Sequence, residues 1–230
     1  MDTIKNRLEQ VKDRIKNAAE VCDRNPEGIS LVAVSKTVSI ENVHKAIDAG
    51  ATILGENYVQ EARDKISALG NFPVNWHFIG HLQSNKAKYA VKLFDLIHSV
   101  DSLKLARELN KQARKNAKIQ QILIQVNISQ EETKSGISVD DTINLIGEIS
   151  RLQNLSTRGL MTMPPFFNQP ERVRPFFAAL RHLRDQIQKT PFPNVSMDEL
   201  SMGMTGDFEV AIEEGATMVR VGTAIFGERT

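Results

Sequence analysis

ISLVAVSKTVSIENVHKAIDAGATILG, residues 29–55, holds one repeat of the pattern on which the fold turns. ISLVAVS (29–35) is an apolar run of strand length. Ile40, Val43 and Ile47 then recur at helical spacing, and Gly50 stands where a helix ends before the next strand-like run, ATILG (51–55). The junction returns far downstream: AIDAGATILG (46–55) and AIEEGATMVR (211–220) share A-I-x-x-G-A-T. Convergence and common ancestry both explain this echo, and both predict the same local structure.

Outward from this repeat, the strand-like runs continue as NWHFIG (75–80), DLIHSV (95–100), QILIQVN (121–127), LSTRGLMT (155–162), MDELSM (197–202) and TMVRVG (217–222), eight in all. Helical stripes separate them. Val59, Ala62, Ile66 and Leu69 form one, and Leu103, Ala106, Leu109 and Ala113 form another, with Asp101 as the expected N-cap. Ile143, Ile146 and Ile149 follow, then Phe176, Leu180, Leu183 and Ile187, then Val210 and Ala211 opened by Thr205. KAKYAVKLF (86–94) is short and ambiguous. A further amphipathic helix within residues 2–22, carrying Ile4, Leu8, Val11, Ile15 and Ala19, precedes the first strand. Eight strands alternating with helices predict a single-domain α/β fold, a (β/α)8 TIM barrel with an extra N-terminal helix. Residues 1–28 are its helix and turn, and residues 29–230 are the barrel.

A chain of 230 residues with 41% hydrophobic and 25% charged residues has the composition of an ordinary globular protein and can bury a core. The formal net charge of +1 offers no electrostatic footprint for nucleic acid or an anionic membrane. Cys22 is the only cysteine, so no internal disulfide forms, and a reducing compartment fits. No run approaches the roughly 18 apolar residues of a membrane span. MDTIKNRLEQVKDRI is too charged for a signal peptide. The expected location is the cytoplasm.

In a barrel of this kind, chemistry sits at the C-terminal ends of the strands, with phosphate held after strands seven and eight. SMGMTGD (201–207) and RVGTAIFG (220–227) occupy those places, rich in glycine and hydroxyl groups and each running into helical sequence. Exposed N–H groups there, with Ser201, Thr205 or Thr223 nearby, suit a phosphate; tight turns alone also explain the glycines. Lys36 ends the first strand, either as a solvated terminus or as an amine at the same mouth. A desolvated lysine amine attacks aldehydes, so lysine and cradle together point to a phosphorylated aldehyde, pyridoxal 5′-phosphate. Arg220, closing an apolar strand, needs a partner if buried: a pyridine nitrogen or a neighbouring carboxylate.

The ordered blocks LVAVSK (31–36), GENYVQE (55–61), HFIGHLQSNK (77–86), KSGI (134–137), RGLMTM (158–163), SMGM (201–204) and MVRVGTAIFG (218–227) closely resemble the YggS family of pyridoxal phosphate homeostasis proteins. The resemblance spans essentially the whole chain. It implies a barrel like the N-terminal domain of alanine racemase, the fold type III arrangement, with pyridoxal phosphate in a covalent aldimine on Lys36. By position, Asn57 packs beside the cofactor, Ser201, Gly203, Gly222 and Thr223 hold its phosphate, and Arg220 faces its ring nitrogen. His81 and Met163 take a lining role. Always protonated at accessible pH, Arg220 makes the ring a poorer electron sink.

Three functions follow. The first is a cofactor-binding homeostasis protein without robust turnover that acts as a monomer and serves apo-enzyme recipients or regulatory proteins. The second is an amino-acid racemase, which needs a base opposite Lys36; Tyr58 and Tyr89 are the only tyrosines, and neither is a convincing second base. The third is a cofactor-sensing regulatory module that uses the N-terminal helix as its partner surface, although docking across the barrel bottom is the commoner use of such a helix. His77 and His81 lack the setting of a shared metal site, and His44, His98 and His182 lack ligand spacing, so no metal is expected. MPPFF (163–167) reads as a stiff loop beside the mouth.

Overall fold

The computed structural model describes residues 3–70, 72–131 and 134–228. All eight strands form: β1 (Ser30–Val34), β2 (Ile53–Glu56), β3 (Asn75–Phe78), β4 (Leu96–Val100), β5 (Gln120–Gln125), β6 (Leu155–Met161), β7 (Val195–Ser201) and β8 (Met218–Val221). Each pairs parallel with the next, and β8 pairs with β1, so the sheet closes into a barrel. The helices are α1 (Ile4–Val21), α2 (Ile40–Asp48), α3 (Val59–Leu69), α4 (Ala87–Leu93), α5 (Leu103–Lys115), α6 (Val139–Ile149), α7 (Arg174–Gln188), α8 (Phe208–Glu213) and α9 (Thr223–Phe226). The ambiguous stretch after β3 resolves into a 3₁₀ turn, Ser84–Lys86, continued by α4. Residue 2 of the expected first helix lies outside the described residues.

Alternation along the strands divides the apolar side chains into two cores. Val32, Leu96, Leu123, Met161 and Met218 pack together inside the barrel. Their neighbours one residue away, among them Ala33, Ile97, Ile122, Leu160 and Val219, pack outward against the helices. This parity and the register fix which polar residues point inward: His98 and Arg220 lie two residues from Leu96 and Met218, while His77 pairs with Leu96 and Ser201 with Met161.

The first helix is extra in chain order but not in space. Its buried stripe of Ile4, Leu8, Val11, Ile15, Ala18 and Ala19 packs on α8, α9 and α2. It runs from the strand C-termini, where Arg7 Nε donates to Ile225 O at 2.8 Å, toward the other end, where Arg24 Nη1 donates to Ile212 O. That is the place of the eighth outer helix, which the four-residue α9 after β8 is too short to fill. The expected partner surface of this helix is therefore largely committed within the molecule.

Two N-caps differ from the sequence reading. Ser102, not Asp101, caps α5 by accepting from Leu105 N, and α8 starts after Asp207, not Thr205. The A-I-x-x-G-A-T echo is one local structure used twice. Gly50 (φ 90°) and Gly215 (φ 101°) are both left-handed, and the following alanines donate backward across the helix end, Ala51 N to Ala46 O and Ala216 N to Ala211 O. Each is a Schellman closure that turns an outer helix into the next strand. Among the described residues no helix is long and apolar enough to cross a membrane.

Candidate active site

Lys36 lies two residues beyond β1, partly buried, in a turn whose flanks are tied down on both sides. Before it, Ser35 N donates to Gly55 O at 2.9 Å, Ser35 Oγ donates to Glu56 Oε1 at 2.6 Å, and Ser35 O accepts from Lys65 Nζ. After it, Thr37 adopts a left-handed φ of 62°, uncommon for a β-branched residue, and its N–H donates to Glu61 Oε1. Lys65 of α3 joins the two halves. Its Nζ contacts Glu56 at 2.8 Å and Glu61 at 2.6 Å, with the lysine and Glu56 side chains 5% and 0% exposed. Burial pushes the Glu56 carboxyl up, and the hydrogen bonds from Lys65 and Ser35 pull against it. This outward-facing cluster holds the backbone of residues 35–37, the turn that carries Lys36 at the C-terminal end of β1.

The register carries Lys36 to the other expected residues. Val32 pairs with Arg220 and Ala33 with Val221, which brings the residues after β8 beside those after β1. A Cβ on Gly222 would lie 3.3 Å from Val34 O. On the other flank, Val34 pairs with Gly55, two residues before Asn57. Thr223 is exposed at the start of α9. Gly203 is buried with φ 91°, its carbonyl accepts from Arg220 N at 3.0 Å, and a Cβ there would lie 2.6 Å from the Ala211 Cβ and 2.9 Å from the Phe208 Cα. No side chain fits at that position, so the loop after β7 lies directly on α8.

Arg220 is buried, 4% exposed. Its Nη1 donates to Ser201 Oγ at 2.6 Å and its Nη2 to Thr162 O at 2.8 Å, and among the described residues no carboxylate comes within ion-pair distance. Burial lowers its pKa to about 10, opposed by the charge of Asp207, and the group remains a cation at neutral pH. The Ser201 hydroxyl also meets His98 Nδ1 at 2.9 Å, and His98 Nε2 meets His77 Nδ1 at 3.0 Å. The side chain of Ser201 is thus engaged inside the barrel, and its backbone sits in the sheet, where Ser201 O accepts from Thr162 N at 3.2 Å. Burial pushes His77 down to about 4 and His98 well below the usual imidazole value, so both are neutral.

Asn57, His81 and Met163 line one cavity of about 300 Å³ over the C-terminal ends of the strands, together with Gly80, Gln125 and Lys134. His81 and Met163 are exposed at its rim. Asn57 Oδ1 is buried there without a hydrogen-bond partner. A cavity of about 450 Å³ opens at the opposite end, between α1 and the starts of β1 and β2, and contains none of these residues. Among the described residues no group of three or more His, Cys, Asp or Glu is placed to hold a metal ion.

This arrangement fits pyridoxal phosphate: an amine on a fixed turn, a buried cation with no carboxylate in ion-pair distance, a glycine loop and an orphan amide oxygen, all toward the C-terminal ends of the strands. Tyr58 is 60% exposed and Tyr89 41% exposed. The Lys65 cluster and the two buried histidines were not foreseen from the sequence. The available signal was inward parity for the histidines, and for Lys65 a position four residues after Glu61.

Residues 7–230 match the family described as alanine racemase, N-terminal domain. A pyridoxal phosphate homeostasis protein of Aquifex aeolicus is 47% identical over 97% of either chain. Its counterpart in Escherichia coli strain K12 is 44% identical, covering 100% of this chain and 98% of that one. Among solved structures, PipY of Synechococcus elongatus with pyridoxal phosphate bound superposes with a TM-score of 0.84 at 35% identity, covering 98% of this chain and 100% of that one.

Proposed function

The chain belongs to the alanine racemase N-terminal domain family and, within it, to the pyridoxal phosphate homeostasis proteins; from that premise we propose that it holds pyridoxal phosphate as a Schiff base on Lys36. The 230 residues act as one cofactor-binding unit in the cytoplasm, serving pyridoxal phosphate homeostasis without robust turnover. The observation that supports this reading is the pairing of β8 with β1, Val32 opposite Arg220 and Ala33 opposite Val221, which puts the turn after β1 that carries Lys36 at the same end of the barrel as Gly222.

Pyridoxal phosphate, when bound, supplies an aldehyde carbon for a primary amine and an electron-withdrawing ring. The residues around it divide the work of holding it. The Lys65 cluster presents the Lys36 amine from a backbone that does not have to be ordered on binding. Backbone N–H groups at Gly203 and Gly222 in the loops after β7 and β8, with the Thr223 hydroxyl, would hold the phosphate, and Asn57 offers its unpartnered oxygen. Arg220 presents N–H donors to the ring nitrogen and, as a persistent cation, disfavours a proton there. Racemisation needs a second base opposite Lys36, and an exposed tyrosine ahead of α3 does not supply a held one.

The purified protein with added pyridoxal phosphate is expected to show a visible absorption band, and borohydride is expected to bleach it and leave the added mass on Lys36. A protein that takes up no cofactor overturns the reading. Lysine-dependent formation of D-isomers from a panel of L-amino acids, at a useful turnover rate, replaces it with the racemase.

A further inference from the structure

Four side chains from four strands form one hydrogen-bonded line through the barrel interior: Arg220 of β8, Ser201 of β7, His98 of β4 and His77 of β3. The proton order along that line follows from what each group can do. A guanidinium only donates, so Ser201 Oγ accepts from Arg220 Nη1. The serine has one proton, and His98 Nδ1 at 2.9 Å is the acceptor in reach. His98 Nδ1 is then bare, so its proton sits on Nε2 and points at His77 Nδ1, 3.0 Å away. His77 Nδ1 accepts in turn, which places its own proton on Nε2. The reverse order would have His98 donate to Ser201 and leave the serine proton without a partner in a fully buried position, which is unfavourable.

We infer that His98 and His77 are positioning residues for Arg220, joined to it by a one-way chain of donors in which both imidazoles are neutral Nε2–H tautomers. The chain braces the guanidinium from behind with neutral acceptors only. Its second hold, Nη2 to Thr162 O, is neutral as well. The charge of Arg220 is therefore fixed in place without being cancelled. Desolvation of both rings, which lowers their proton affinity, agrees with this order. Asp207, itself buried and accepting from Met204 N, is the carboxylate whose charge is felt at Arg220, and it stands outside the chain.

The consequence for the cofactor rests on the placement proposed above; the tautomer assignment does not. Imidazole nitrogen NMR on the cofactor-free protein tests the assignment directly. Near neutral pH, His77 and His98 should each show a bare Nδ1 and a protonated Nε2, and an imidazolium or an Nδ1–H tautomer at either residue overturns the inference. The functional arm compares two variants. His98→Gln keeps an acceptor facing Ser201 and a donor facing His77, and should bind pyridoxal phosphate within a few-fold of the parent. His98→Leu keeps the bulk, breaks the line, and should weaken binding about tenfold or more and move the visible band. A folded His98→Leu protein with the parent's affinity and spectrum overturns the positioning role. If the parent itself takes up no cofactor, the functional reading fails while the NMR result still decides the proton order.

Discussion

Lys65 shows at the level of one residue why buried charge is tolerated here. Its amine is enclosed by Glu56, Glu61 and the Ser35 carbonyl, so removing it strands a carboxylate in the barrel wall. Lys65→Met should lower unfolding free energy by about 3–5 kcal/mol in urea titrations; a loss below about 1 kcal/mol would show that Glu56 is readily neutralised. Acid should act through the histidines. The folded His77 takes its proton only near pH 4, whereas an unfolded histidine does so near about 6.5, so between those values the unfolded chain binds more protons. The contribution of His77 is therefore intact above about pH 6.5 and is lost as pH falls toward about 4. Glu56 and Asp207, both pushed up by burial, work in the opposite sense, so the slope should be read as the difference between the parent and His77→Asn. The position of Lys36 just past the end of an apolar strand was legible. The partners of Lys65, His77 and His98 were not, because they come from other elements across the wall or the interior, and linear spacing carries no record of them.

Repeated elements explain why the strand pattern was read almost in full. Each strand lies within two residues of its expected bounds because apolar runs of strand length, separated by helical stripes, leave few other assignments. Caps were harder: Asp101 and Ser102 are neighbours and both are good N-caps, and only the bond to Leu105 N decides between them. At the Schellman closures, Gly215→Ala should cost about 1 kcal/mol or more, since alanine at a φ of 101° is strained, and thermal unfolding will show it. Gly203→Ala should be worse and should also weaken cofactor binding, because the new Cβ meets Ala211 and Phe208 and must push the loop after β7 outward. Leu8, fully buried on α1, should cost about 2–5 kcal/mol when truncated to alanine if that helix is an integral wall of the barrel. A cost under about 1 kcal/mol would mark it as an appendage.

For the whole molecule, closure of the sheet was predictable from the count of eight strand–helix units, but the seat of α1 was not, since a stripe of apolar residues says that a helix docks and not where. Besides α2, its partners are α8 and α9, nearly two hundred residues along the chain, and β1 waits just as long for β8. That separation sets an order of events during synthesis. The first helix leaves the ribosome with much of its apolar stripe uncovered, and β1 with one edge unpaired, until the last strand has been made. Nascent chains stalled before residue 208 should therefore bind holdase chaperones and resist no protease, and protection should arise in one late step once β8 and the residues after it are free to meet α1.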